Sequence, residues 1–338
     1  MAFNRRTLVG LAALVAAAAP ALKAAARPAG QTADQTSDQT APLAPPDPTE
    51  EFRLWPGGAP GGEKVTVVGA VTERSTDPAY HDRFAQFTTD PILSVVRPEH
   101  PNGSALLLIP GGGYRWSVVD KEGLDCARVF AAAGVTCYVL RYRLPADGWA
   151  AGPDAPLQDA QRALRMIRAR VDQDGVDPKR VGVLGASAGG HLAGLLTVRK
   201  DTTYAAIDEI DKQSHRPDLT ILMYPVATMA DPFVHTGSRQ HLLGAAPTAE
   251  MIAAWSLEQM DWTGAPPTFL LHAIDDESVP VENSLQLLAA IRKANVPTEA
   301  HLFQEGGHGF GIRLIQGKPA AAWPELALAW ARRHAWAA

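Results

Sequence analysis

Ten consecutive residues, Val181-Gly-Val-Leu-Gly185-Ala186-Ser187-Ala188-Gly189-Gly190, restrict the fold more than any other part of this chain. A β-branched apolar run passes through G-x-S-x-G into a helical pattern, with no bulky residue at the turn. Small residues two places before and two after Ser187 let a strand and a helix fold back on each other at a strained corner. Such a corner lifts the serine above the carboxyl edge of an open α/β sheet, where ligands of these sheets sit. The helix start behind it favours negative charge developing there.

The rest of the chain is consistent with such a sheet. Short apolar runs at Lys64–Val71, Ile92–Val96, Ala105–Ile109, Thr136–Tyr142, Val181–Leu184, Leu219–Tyr224, Thr268–His272 and Glu299–Phe303 read as strands, and helical patterns lie between them. In one of these, Leu157, Ala160, Leu164, Ile167 and Val171 recur at helical spacing, with Arg162, Arg165 and Arg168 elsewhere on the wheel. Further helices are predicted at Gly123–Ala133, Ala188–Val198, Val281–Ala294 and Ala320–Ala335. This alternation predicts an α/β class: a central, mostly parallel, eight-stranded sheet flanked by helices. One connection is far longer than the rest. Its residues, about 227–265, are expected to form a small helical lid roofing a site.

The first 48 residues have a different character. Residues 1–26 carry Arg5 and Arg6 ahead of an Ala/Leu/Val-rich stretch, too short to span a bilayer, then small residues at Ala24–Ala26. We read them as a signal peptide of twin-arginine type. Residues 27–48, polar and rich in proline, read as a disordered linker. That leaves 49–338 as one domain, although 338 residues alone would allow two. The expected location is periplasmic or secreted, with no stable membrane insertion. Removing the leader takes three basic residues and no acid, so the net charge of −5 would become −8. No basic field for nucleic acid is implied.

A serine hydroxyl needs a base to become a nucleophile. Of ten histidines, His308 lies in a glycine-flanked loop, Gly306-Gly-His-Gly309, directly after the last strand, free to reach over the sheet edge. His272 and His301 fall inside strand patterns, and His191 sits on the helix after Ser187; these three read as structural. Asp275 and Asp276, at the end of another strand, are both candidates to orient the imidazole. The buried strand at 105–109 ends in Pro110-Gly111-Gly112-Gly113. The amides of these glycines, with that of Ala188, can turn toward a developing oxyanion. The glycines do not fit a phosphate loop, because Trp116 stands where G-x-G-x-x-G needs a glycine. No metal site is expected, since no paired-histidine spacing accompanies the acids.

With these residues assembled, the chain resembles the α/β-hydrolases, in particular bacterial esterases of the acetylxylan esterase and carbohydrate acetylesterase type. The resemblance covers about residues 52–336. It rests on Leu54-Trp-Pro-Gly-Gly-Ala-Pro-Gly61, Ile109-Pro-Gly-Gly-Gly-Tyr114, Lys121-Glu-Gly123, Tyr142-Arg-Leu144, Gly185-Ala-Ser-Ala-Gly-Gly-His191, Gly237-Ser-Arg239 with Leu242-Leu-Gly244, and Asp276…Val279-Pro280 with His308-Gly-Phe310. The chain order Ser187, Asp276, His308 is that of this fold. In the resemblance the acid stands three residues before a Val-Pro pair, which favours Asp276 over Asp275. It implies a triad of Ser187, Asp276 and His308, oxyanion donors at Gly112, Gly113 and Ala188, and no cofactor. It further implies hydrolysis of acetyl esters on carbohydrates or of other small esters. Tyr114, Trp116 and Trp255 are candidate surfaces for a sugar ring, and Lys121, Glu122, Tyr142 and Arg239 candidate loop organisers. A general short-chain carboxylesterase, a serine peptidase and a non-catalytic binding protein are the competing readings. Oligomeric state and the pairing of Cys126 with Cys137 stay open at this stage.

Overall fold

The computed structural model describes residues 43–337. The expected leader and residues 27–42 of the expected linker lie outside the described residues. Eight strands form one sheet in the order Glu51–Arg53, Ile92–Val96, Thr136–Arg141, Ala105–Ile109, Val181–Ala186, Leu219–Met223, Thr268–Ala273, Thr298–Phe303. Only Ile92–Val96 runs against the others. Along the central strand Ala105–Ile109 successive side chains enter opposite cores. Leu107 and Ile109 pack with the helices Ala155–Ala169, Ala188–Val198 and Glu282–Lys293, whereas Leu106 and Leu108 pack with Asp125–Ala132 and Trp323–Arg333. Burial on both faces is why this strand reads as an unbroken apolar run. Among the described residues no helix is long and apolar enough to cross a membrane.

Seven of the eight expected strands stand in this sheet. The eighth, Lys64–Val71, does not: only Ala70–Glu73 is extended, in a separate three-stranded sheet with Arg83–Gln86 and Ser117–Val118. Its valines imitate a strand, but none is fully buried, and Val68 is 81% exposed. The vacant edge of the main sheet is filled by Glu51–Arg53, too short and polar to be read from its sequence. The expected linker also ends earlier than residue 48. Asp47 is held by both terminal nitrogens of Arg83, at 2.6 and 2.7 Å, and the Ala44 amide donates to the Pro78 carbonyl. Cys126 and Cys137 are free and buried, and burial raises both thiol pKa values.

A buried ion pair ties the segment before the second strand to the sheet. Arg143 and Asp159 are both wholly buried, 2.8 Å apart at closest approach. Asp159 also accepts the indole N–H of Trp55 at 2.7 Å, and Arg143 donates to the Pro60 and Ala155 carbonyls. Every charged atom thus finds a partner, the condition for holding such a pair out of water. Replacing Asp159 alone strands the guanidinium. Asp159→Ala is expected to cost about 3–5 kcal/mol of unfolding free energy in denaturant titration. A loss under about 1 kcal/mol, the scale of an exposed pair, would contradict the clamp.

Candidate active site

The site begins where Val181–Ala186 turns into Ala188–Val198. Ser187 sits at the corner with φ 54° and ψ −120°, a conformation that costs a non-glycine residue of order 1–3 kcal/mol. Its amide donates to the Met223 carbonyl at 3.0 Å, and its carbonyl accepts from the amides of His191 and Val226. The flanking glycines are required by contact. A Cβ on Gly185 would stand 2.2 Å from the Gly189 carbonyl oxygen, and one on Gly189 only 2.1 Å from that of Ile109.

His308 reaches this serine from the loop after the last strand. Its Nε2 lies 2.9 Å from Ser187 Oγ, and its Nδ1 lies 2.7 Å from Asp276 Oδ2. A carboxylate accepts, so Nδ1 carries the ring proton and Nε2 offers its lone pair to the hydroxyl. Asp276, not Asp275, occupies this place. The Asp276 carboxylate also takes the amides of Ser278 and Val279, at 2.9 and 2.8 Å, and a longer bond from His272 Nε2 at 3.2 Å. Burial alone would raise the Asp276 pKa; the hydrogen bonds from His272 and His308, the charge of His308 and the Val279 amide outweigh it. The carboxyl is thereby held well below the usual range. Asp275 has a different task, accepting the amides of Gly306 and Gly307 and so clasping the loop that carries His308.

The glycine loop is bracketed from beneath. Tyr142 donates to the Pro110 carbonyl at 2.8 Å, and the buried Glu122 carboxylate accepts the Gly111 amide at 2.9 Å. Gly112 has φ 127°, and a Cβ there would collide with the Trp116 carbonyl oxygen at 2.3 Å. Among the described residues, the amides of Gly112, Gly113 and Ala188 meet no protein acceptor. The second oxygen of Glu122 accepts from the Tyr224 hydroxyl at 3.1 Å, and that hydroxyl accepts the Gly311 amide. The Tyr224 ring meets His308 edge to face, centroids 5.2 Å apart. Burial, then the nearby Glu122 charge, lifts the Tyr224 hydroxyl well above its usual pKa, so it stays a donor. Tyr224 was not legible as a site residue. It closes an apolar strand run, and only the left-handed φ of 34° turns it toward the loop.

A cavity of about 330 Å³ opens over Ser187, bordered by Gly112, Gly113, Trp116, Lys121 and His308, and on the lid side by His235, Gly237 and His241. The lid consists chiefly of helices Thr236–Leu243 and Ala249–Ala254. Of the three aromatic residues expected to face a ligand, only Trp116 borders this cavity, between Phe84 at 5.1 Å and Arg115 at 4.8 Å. Tyr114 is fully buried, its hydroxyl bound to His191 Nδ1 at 2.8 Å. Trp255 packs against the core and lends its carbonyl to His191 Nε2 at 2.7 Å. The buried His191 thus spends both nitrogens joining these two residues, and burial pushes its pKa down to about 4, against the opposing bond to Trp255. Arg239 binds the Met229 carbonyl and Asp231 within the lid. Among the described residues no three His, Cys, Asp or Glu side chains converge to hold a metal ion.

Tyr224→Phe removes the hydroxyl shared by Glu122 and Gly311. Hydrogen bonds to charged groups are worth about 1.5–3 kcal/mol. A loss of that size is expected in denaturant titration; unchanged stability would show that the bracket does not hold the loop.

Comparison with known proteins adds four findings. Residues 94–291 match the BD-FAE family. The chain is similar to endo-1,4-beta-xylanase B of Butyrivibrio fibrisolvens, 36% identical over 61% of this chain and 32% of that protein. It is also similar to an acetylxylan esterase of Xylanibacter ruminicola, 30% identical over 64% of this chain and 42% of that protein. The chain therefore spans less than half the length of these curated relatives. Among solved structures, an acetyl ester-xyloside bifunctional hydrolase from Caldicellulosiruptor lactoaceticus superposes with a TM-score of 0.66 at 31% identity. That match covers 89% of this chain and all of the other.

Proposed function

Given that the chain belongs to the BD-FAE family and has the α/β-hydrolase fold, we propose that it is a carboxylic ester hydrolase removing acetyl groups from carbohydrates. The observation that carries this reading is the unbroken relay from Asp276 through His308 to Ser187, with bonds of 2.7 and 2.9 Å, under an open cavity. The acetyl and carbohydrate parts rest on the acetylxylan esterase and acetyl ester-xyloside hydrolase among its likenesses.

In the mechanism, His308 Nε2 takes the Ser187 proton as Oγ attacks the ester carbonyl. Negative charge gathers on the carbonyl oxygen, and the amides of Gly112, Gly113 and Ala188 receive it. Asp276 stabilises the imidazolium and keeps its tautomer. His308 then gives its proton to the leaving sugar oxygen. Water, deprotonated by the same imidazole, attacks the acetyl-serine, and acetate departs as Ser187 recovers its proton. The basic leader and polar segment ahead of the domain support export, so that substrate is met outside the cytoplasm; fractionation of cells making the full chain tests this.

An acetate-release panel over acetylated xylan, pectin, chitooligomers and monosaccharides tests the substrate class. Ser187→Ala is expected to abolish release, and Asp276→Asn to lower kcat by about 10⁴ through the wrong histidine tautomer. Asp275→Asn keeps an acceptor for the loop amides and should lose less than about 10-fold. Equal losses at 275 and 276 would contradict the division of labour, and activity persisting in Ser187→Ala would overturn the mechanism.

A further inference from the structure

Two histidines of the lid border the cavity, and their Nδ1 atoms make opposite kinds of hydrogen bond. His235 caps the helix Thr236–Leu243, and its Nδ1 accepts the backbone amide of Ser238 at 3.1 Å. A backbone N–H can only donate, so Nδ1 is unprotonated and the ring proton resides on Nε2. The Ser238 hydroxyl, 2.8 Å from the same nitrogen, completes the cap. Burial, and after it the charge of His308, disfavours a second proton on this ring. Its Cε1 edge lies beside Gly113, 3.6 Å from where a Cβ would stand, and among the described residues the neighbouring Nε2 has no hydrogen-bond partner.

His241, one turn and a half further along the same helix, is set the other way. Its Nδ1 lies 2.7 Å from the Gly237 carbonyl, which can only accept, so Nδ1 carries a proton. In the neutral ring the lone pair is then on Nε2, which meets no protein donor among the described residues. The two neutral rings bordering the cavity thus carry one N–H donor and one nitrogen acceptor without a protein partner among the described residues. An ester carbonyl or an ether oxygen uses only the first; a hydroxyl group uses both.

We propose that His235 and His241 together read a free hydroxyl on the alcohol half of the substrate, next to the ester being cleaved. This rests on the esterase reading and narrows it, selecting esters of polyols such as partly acetylated sugars over esters of simple alcohols. The two residues take no part in proton transfer; they position the substrate.

The test compares methyl 2-O-acetyl-β-xylopyranoside with its 3-deoxy counterpart, with p-nitrophenyl acetate as a reference ester. The wild-type chain is expected to favour the hydroxyl-bearing sugar by at least about 10-fold in kcat/KM, because a site built to bind a hydroxyl leaves its polar groups unpaired against the deoxy analogue. His235→Asn puts a side-chain oxygen where Nδ1 caps the helix but carries nothing in place of Nε2. His241→Asn keeps a donor for the Gly237 carbonyl and likewise loses Nε2. In each variant the hydroxyl-to-deoxy preference should fall to within about 3-fold, whereas a merely structural role would lower both rates and leave their ratio unmoved. A wild-type ratio near one, or a ratio retained in both variants, overturns the inference and leaves the esterase reading standing. A wild-type chain inactive on p-nitrophenyl acetate and on both sugars overturns the two together.

Discussion

The structure depends on a backbone contact that only glycine permits. The helix after Ser187 approaches the neighbouring strand until Gly189 lies against the Ile109 and Pro110 carbonyls, with distances of 2.1 and 2.5 Å for a hypothetical Cβ. Gly185 closes the same corner from the other side. This approach forces Ser187 into its left-handed conformation and puts its hydroxyl on the sheet edge. It also brings the helix start, with the Ala188 amide, to the strand end that leads into Gly111–Gly113. One contact therefore places the Ser187 hydroxyl and both sets of backbone amides around it.

Such a corner stores strain, and its surroundings are built to hold it. The carbonyl of Ser187 accepts two amides, and its own amide is bound to the adjacent strand end. Below the glycine loop the Glu122 carboxylate joins Gly111 to Tyr224, and Tyr224 in turn touches the His308 ring and the Gly311 amide. Asp275 fastens the His308 loop, and Asp276 orients the imidazole. Four loops from separate strands are thus linked, through the buried carboxylates of Glu122 and Asp276, each satisfied as buried polar groups in a low-dielectric interior must be, and through the exposed carboxylate of Asp275. Reactive groups held this way need little reorganisation when charge develops.

What could be read from the chain follows from where the information lies. Ser187, His308, Gly112 and Gly113 were legible because tight turns and close approaches leave small residues at fixed spacings. The central strands were legible because burial on both faces gives continuous apolar runs. Lys64–Val71 misled because alternating valines record β-propensity without recording whether a face will be covered. Tyr114 and Trp255 were placed at a ligand surface, whereas both are drawn away through His191, a partnership between residues far apart in the chain. The contacts of Tyr224 with Glu122 and His308 are of the same long-range kind, and no local pattern announces them, although Glu122 itself was expected among the loop organisers. Asp275 and Asp276 show the limit most sharply: adjacent acids take different tasks because the backbone turns between them.

The central claim is that Ser187 is the nucleophile, activated by its neighbours in the fold. Treating the full chain with a fluorophosphonate and mapping the adduct by peptide mass spectrometry tests this without assuming any substrate. The account predicts a single phosphonylated residue, Ser187, in the native chain and no adduct after denaturation. Labelling at another residue, or none in the folded protein, would contradict it.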